Sequence, residues 1–242
     1  MLKLIQMIEY NVPLKGVCNG MVGMLIQAAV VEDTATFWNR LQLIAEYKSD
    51  LNLLLDKIKA VKLKVIAHTE LTQQDLAMLE VLAFLDGIQL YHSSNDYRDF
   101  FDNKFVHQDN YPVIYNLAKP ANAETDNIHI LLDKTYAGTR DDLRKYFTAL
   151  AKILSKQPSI SIKLGNTSHA VYVSYNHNNA TKPWLYFDVN DWKLYPDHEH
   201  YYRELTHAEF IKSIFISLSP HSQHCIFNVI KYLALKGLNI SG

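Results

Sequence analysis

Cysteine is scarce in this chain: its 242 residues include two, Cys18 and Cys225. Two cysteines make no disulfide framework, and no CxxC occurs, so neither a stapled scaffold nor a structural zinc site is expected. Free thiols fit a reducing compartment. Net charge is also small. The 24 basic and 25 acidic residues leave a formal −1 with no basic stripe, so nucleic acid is not an expected partner. No run approaches the roughly 18 apolar residues of a membrane span, and none is expected. The opening "MLKLIQMIEY" is broken by Glu9 and followed by no small-residue cleavage site, which argues against a classical signal peptide. Internal repeats and low-complexity linkers are absent. What is present, 48% hydrophobic and 20% charged residues, is the composition of an ordinary globular protein, expected as one domain over residues 1–242.

The first half has helical texture. Val17 to Val31 is apolar on nearly every side, the mark of a helix buried all round. A second helix follows, capped by Thr34 or Thr36, with Phe37, Trp38, Leu41, Ile44 and Ala45 at helical spacing. Leu51 to Val61 repeats the pattern. Leu71 to Leu90 is a further helix with Thr72 as cap and Leu76, Leu79 and Ala83 on one face. Asn127 to Asp133 suggests a short strand. Thr139 to Lys156 has full helix punctuation, with a Thr139 cap, Asp141 and Asp142 in the first turn, and Lys152 near the end.

The texture then changes. "SISIKLGNTSHAVYVSYN" and "WLYFDVNDWKLY" are β-branched and aromatic, alternate with period two, and are separated by turn residues. Helical patterns return at Ala208 to Leu218 and Cys225 to Lys236. The order implies an α+β fold, with a helical part over about 1–157 and a sheet part over about 158–242.

Cys18 stands just after a turn, Pro13 to Gly16, at the expected start of the buried helix. There the unsatisfied N–H groups and the macrodipole favour a thiolate. Gly16 and Gly20 leave room for a substrate backbone or a neighbouring strand. A cysteine nucleophile needs a base, and the base needs an orienting group. His169 opens one strand and Asp188 ends the next. Pairing them directly centres the hairpin between Asn178 and Asn179, inside the turn-like "YNHNNATKP", and sets Val173 opposite Trp184 and Val171 opposite Tyr186. Directly opposed residues share a face, with Cβ atoms about 5 Å apart. A slip of two residues keeps the face and makes the contact diagonal. For an oxyanion the donors are the Cys18 N–H and the Asn11 side-chain amide, with Asn19 a weaker choice.

These stretches resemble the papain-like cysteine peptidases, and more closely the YopT-type effector proteases of pathogenic bacteria. The matching residues are Gly16-Val17-Cys18, His169-Ala170-Val171 and Phe187-Asp188-Val189-Asn190. "GVCNGMVGMLIQA" with "FWNRLQLI" also resembles type IV-secreted effectors in which such a domain precedes ankyrin repeats. No ankyrin pattern occurs in this chain. The departures are Val189, where proline is frequent, and Asp191, where a small residue is common. The resemblance implies a papain-like fold with a buried central helix packed on an antiparallel sheet, and a Cys18, His169, Asp188 triad. It also implies Asn190 and Trp192 beside the substrate, a host-cell protein as substrate or partner, and no cofactor. By the same resemblance the chain is a virulence protein delivered to the host-cell cytoplasm.

Two other clusters carry metal-ligating side chains, Asp197 to His200 ("DHEH") and His221 to Cys225 ("HSQHC"), but neither has a second ligand group, so no metal is expected. The acceptor that resolves the thioester is left open. Water gives a protease; an amine or a glutamine substrate gives a transglutaminase, deamidase or acyltransferase. A papain-like module that binds a host protein with little turnover uses the same sequence features.

Overall fold

In the computed structural model, residues 17–92, 128–156, 160–191, 202–218 and 224–234 are described. Among the described residues four helices come first: α1 (Val17–Val30), α2 (Thr34–Glu46), α3 (Leu51–Ile66) and α4 (Gln73–His92). Strand β1 (Ile128–Thr139) leads into α5 (Arg140–Leu154). Then come β2 (Ser161–Gly165), β3 (Ala170–Tyr175), β4 (Trp184–Phe187), β5 (Arg203–Leu205), α6 (His207–Leu218) and β6 (His224–Ala234). The fold is α+β. Among the described residues six strands form one antiparallel sheet in the order β1-β6-β2-β3-β4-β5.

Helix starts follow their capping chemistry. Asp33, not Thr34 or Thr36, caps α2, its carboxylate accepting from the Thr36 N–H; a carboxylate adds charge against the helix dipole to the cap itself. Asp50 does the same for α3, which runs to Ile66 rather than stopping at Val61. Thr72 caps α4 as expected: its Oγ1 accepts from the Asp75 N–H, while Asp75 accepts from the Thr72 N–H and is held by Lys64. Thr139 and Asp142 form a reciprocal capping box at α5.

In α4 the buried stripe is Met78, Val81, Phe84, Leu85 and Ile88, while the face that carries Leu76 and Ala83 is largely exposed. One helical reading is corrected. Residues from Cys225 onward form β6, not a helix, pairing with β1 from His224 to Ala234 and with β2. Periodicity alone does not separate a short apolar strand from a buried helix, and here long-range pairing decides. The strand expected over Asn127 to Asp133 is present and longer, Ile128–Thr139, so the sheet begins before the boundary expected near residue 158.

The sheet is covered on both faces. Ala170, Tyr172 and Phe187 point into a core built by α1 to α4. Val171, Val173, Trp184 and Tyr186 alternate with them and point to α5 and α6. On the first side Phe37 and Trp38 meet the Phe187 ring edge-on at 6.1 and 5.5 Å. On the second, Trp184 stacks on Phe210 at 4.0 Å. Helix α1 is buried along nearly its whole length. It lies against α4 through small residues: Gly20 against the Ile88 backbone, Gly23 against the Tyr91 ring, and Gly87 against Met24. The Asn19 side-chain amide donates to the Tyr91 carbonyl, and the Tyr91 hydroxyl donates to Gln27.

A methyl group at Gly20 would overlap the Ile88 carbonyl oxygen, which belongs to backbone and cannot swing away. Gly20→Ala is expected to destabilise the fold by about 2 kcal/mol, the scale of core overpacking, read as a lower urea midpoint with an unchanged slope. An unchanged midpoint would show that α1 and α4 are not in this contact.

Candidate active site

Cys18 sits in the first turn of α1, a free and buried thiol with 8% exposure. His169 is the last residue of the β2–β3 turn, and Asp188 follows β4 directly. The observed hairpin register sets Val173 opposite Tyr186 and Tyr175 opposite Trp184, a two-residue slip from direct His169–Asp188 pairing. The slip keeps both side chains on one face. Their contact is made diagonally, with His169 Nε2 donating to Asp188 Oδ1 at 2.9 Å. Since Asp188 takes Nε2, Nδ1 is the ring atom left for the Cys18 sulfur, which is hydrogen-bonded to the same imidazole.

The three groups shift one another's proton affinity. Burial pushes the Cys18 thiol up. The hydrogen bond and charge of His169, with the backbone N–H groups of Ala170 and Asn19, outweigh it and hold the thiol below its ordinary value. Burial pulls His169 down, but hydrogen bonds and charge from Asp188 and then Cys18 raise it to about 9. Asp188 is 4% exposed, which by itself favours the neutral acid. Hydrogen bonds from His169, Ser217 and the Asn190 N–H hold it ionised below the usual carboxylate range. These directions favour the thiolate, the imidazolium and the carboxylate side by side.

Two of these supporting residues are not legible as functional in the sequence. Asn166 fastens the turn that presents His169. Its Oδ1 accepts from the Ser168 N–H, the Ser168 hydroxyl and the His169 N–H, and its Nδ2 donates to the Leu218 carbonyl at the end of α6. The available signal was an Asn three residues before His169 in a turn, where its side chain substitutes for backbone. Ser217 reaches Asp188 Oδ2 at 2.7 Å from α6, and no spacing in the sequence connects the two.

The remaining expected site residues separate. Asn190 is adjacent to the dyad: its N–H donates to Asp188 Oδ1 at 2.8 Å and its Nδ2 lies 3.5 Å from His169 Nε2. With Nε2 already donating to Asp188, that second approach is a contact rather than a hydrogen bond. Gly20 does not open toward a substrate, because the room it leaves is filled by α4. Asn19 turns its amide to Tyr91, away from any oxyanion role for its side chain. Asn11, Gly16 and Trp192 lie outside the described residues, as do Asp197 to His200 and His221. His224 opens β6. Among the described residues no group of three metal-ligating side chains occurs, and no helix is long and apolar enough to cross a membrane.

An ordinary thiol loses about tenfold in alkylation rate per pH unit below its pKa, because the thiolate reacts. Cys18, followed by peptide mapping at that residue, is expected to show its iodoacetamide rate profile displaced to lower pH than that of a free thiol. A profile that coincides with the free thiol's would overturn the lowered proton affinity. The chain matches no family model, no curated protein and no solved structure.

Proposed function

We propose that this chain is a papain-like cysteine hydrolase that acts on a protein substrate, by its sequence resemblance a host-cell protein met by a secreted bacterial effector. The observation that carries the reading is one line of contacts. The Cys18 thiol touches His169, and the other ring nitrogen of His169 lies 2.9 Å from Asp188. Nucleophile, base and orienting carboxylate arrive from three separate elements, in the order that acyl transfer requires.

The chemistry follows from those roles. The Cys18 thiolate attacks a carbonyl carbon, and the carbonyl oxygen takes the negative charge. The Cys18 backbone N–H is placed to donate to it, with the Asn11 side chain as the second donor suggested by the sequence. As the intermediate collapses, the carbon–nitrogen bond breaks and His169 Nδ1 delivers its proton to the leaving amine. A water then attacks the thioester, giving its proton to His169. The acid product leaves and the thiolate–imidazolium pair is restored. Asp188 stays ionised throughout and keeps Nε2–H pointed at itself.

The test is a peptide library prepared from host-cell proteins, incubated with the wild-type chain and with Cys18→Ala, and read by mass spectrometry. New peptide termini in the wild-type sample, reduced by more than about 10⁴-fold in the variant, are expected for loss of a nucleophile. Conversion of glutamine to glutamate without new termini would replace hydrolysis of the chain by deamidation at the same triad. No Cys18-dependent product of either kind would leave a binding module.

A further inference from the structure

We propose that Tyr186 and Ser217 form a one-way hydroxyl chain that positions Asp188 for His169, an inference that rests on the Cys18–His169–Asp188 reading above. Three contacts define the chain. Ser217 Oγ lies 2.7 Å from Asp188 Oδ2, the Tyr186 hydroxyl lies 2.6 Å from Ser217 Oγ, and the same hydroxyl lies 3.3 Å from Oδ2.

The inventory of protons fixes the direction. An ionised carboxylate only accepts, and a serine hydroxyl has one proton to give. Ser217 spends that proton on Oδ2, so its oxygen must accept from Tyr186. Tyr186 is fully buried, and burial together with the charge of Asp188 pushes its phenol far above the ordinary range, so the phenol keeps its proton at any working pH. The order is therefore Tyr186 O–H to Ser217 O–H to Oδ2.

Its consequence lies at the other carboxylate oxygen. With Oδ2 engaged by the Ser217 hydroxyl, Oδ1 is left to His169 and the Asn190 N–H. The carboxylate then cannot turn about its Cβ–Cγ bond without abandoning a short hydrogen bond in a buried place. Tyr186 shares β4 with Asp188, but Ser217 belongs to the last turn of α6, on the sheet face opposite the helix that carries Cys18. Neither residue touches the sulfur or a reacting atom. Both act through Asp188 and are positioning residues.

The test follows the His169 ring by NMR in histidine-labelled protein under reductant, with the resonance assigned by His169→Gln. The wild-type midpoint is expected near 9. Ser217→Ala should lower it by about one pH unit, the worth of one hydrogen bond to a charged group. Tyr186→Phe, which keeps the buried ring and so the fold, should lower it by less, and Ser217→Thr should restore the wild-type midpoint. Asp188→Asn should bring it to about 6.5 or below. If Asp188→Asn falls while Ser217→Ala and Tyr186→Phe stay at the wild-type value, the hydroxyl chain is refuted and the triad stands. If Asp188→Asn also leaves the midpoint in place, the triad reading itself is overturned.

Discussion

A carboxylate removed from water must be surrounded by donors or give up its charge, and that constraint on Asp188 organises this molecule. The donors come from three places: the His169 ring at the β2–β3 turn, the Asn190 N–H just after β4, and the Ser217 hydroxyl on α6, itself backed by the Tyr186 hydroxyl of β4. Each is useful only if its element is fixed. Asn166 fixes the turn and ties it to the Leu218 carbonyl, one residue beyond Ser217. The last turn of α6 thus holds both ends of the His–Asp pair, one through a side chain and one through a backbone carbonyl. Trp184 and Phe210, stacked at 4.0 Å, set α6 against β4 so that this turn arrives at the right place.

The thiol reaches the same point from the opposite face of the sheet. Helix α1 is embedded between α4 and the strands, and its closeness to α4 depends on Gly20, Gly23 and Gly87. Interior glycines cost a helix about 1 kcal/mol each relative to Ala. The close contacts with Ile88, Tyr91 and Met24 account for that cost structurally. They fix the lateral position of α1, and with it the position of its first turn next to Ala170 and His169.

Much of this architecture is legible in the sequence, for identifiable reasons. The α5 cap, the all-round burial of α1 and the β3–β4 hairpin are local or nearly local features, and each has a residue pattern that forces it. The hairpin register was two residues off because several registers place the centre within the turn-like "YNHNNATKP". Both keep His169 and Asp188 on one face, so the pairing of the two was robust to the error. What was illegible is non-local. Strand β6 has an apolar pattern that a helix also satisfies, until β1 and β2 are there to pair with it. Ser217 looks like any polar residue of an amphipathic helix, and Gly20 beside a nucleophile suggests substrate clearance until α4 occupies the space.

The distribution of donors along the site also decides where its protons rest. Burial acts against every charge in the line, and by itself would favour a neutral thiol, a neutral imidazole and a carboxylic acid. The Cys18 sulfur instead faces three donors, the His169 ring and the N–H groups of Ala170 and Asn19, and Asp188 also faces three. The imidazole between them has an anion on each side. Moving the proton from the sulfur to the ring satisfies both ends at once, whereas leaving it on the sulfur strands backbone N–H groups that point at a poor acceptor. A thiolate–imidazolium pair is therefore the arrangement these donors favour. Its separation of charge is supported by turns and helix ends already fixed in the fold.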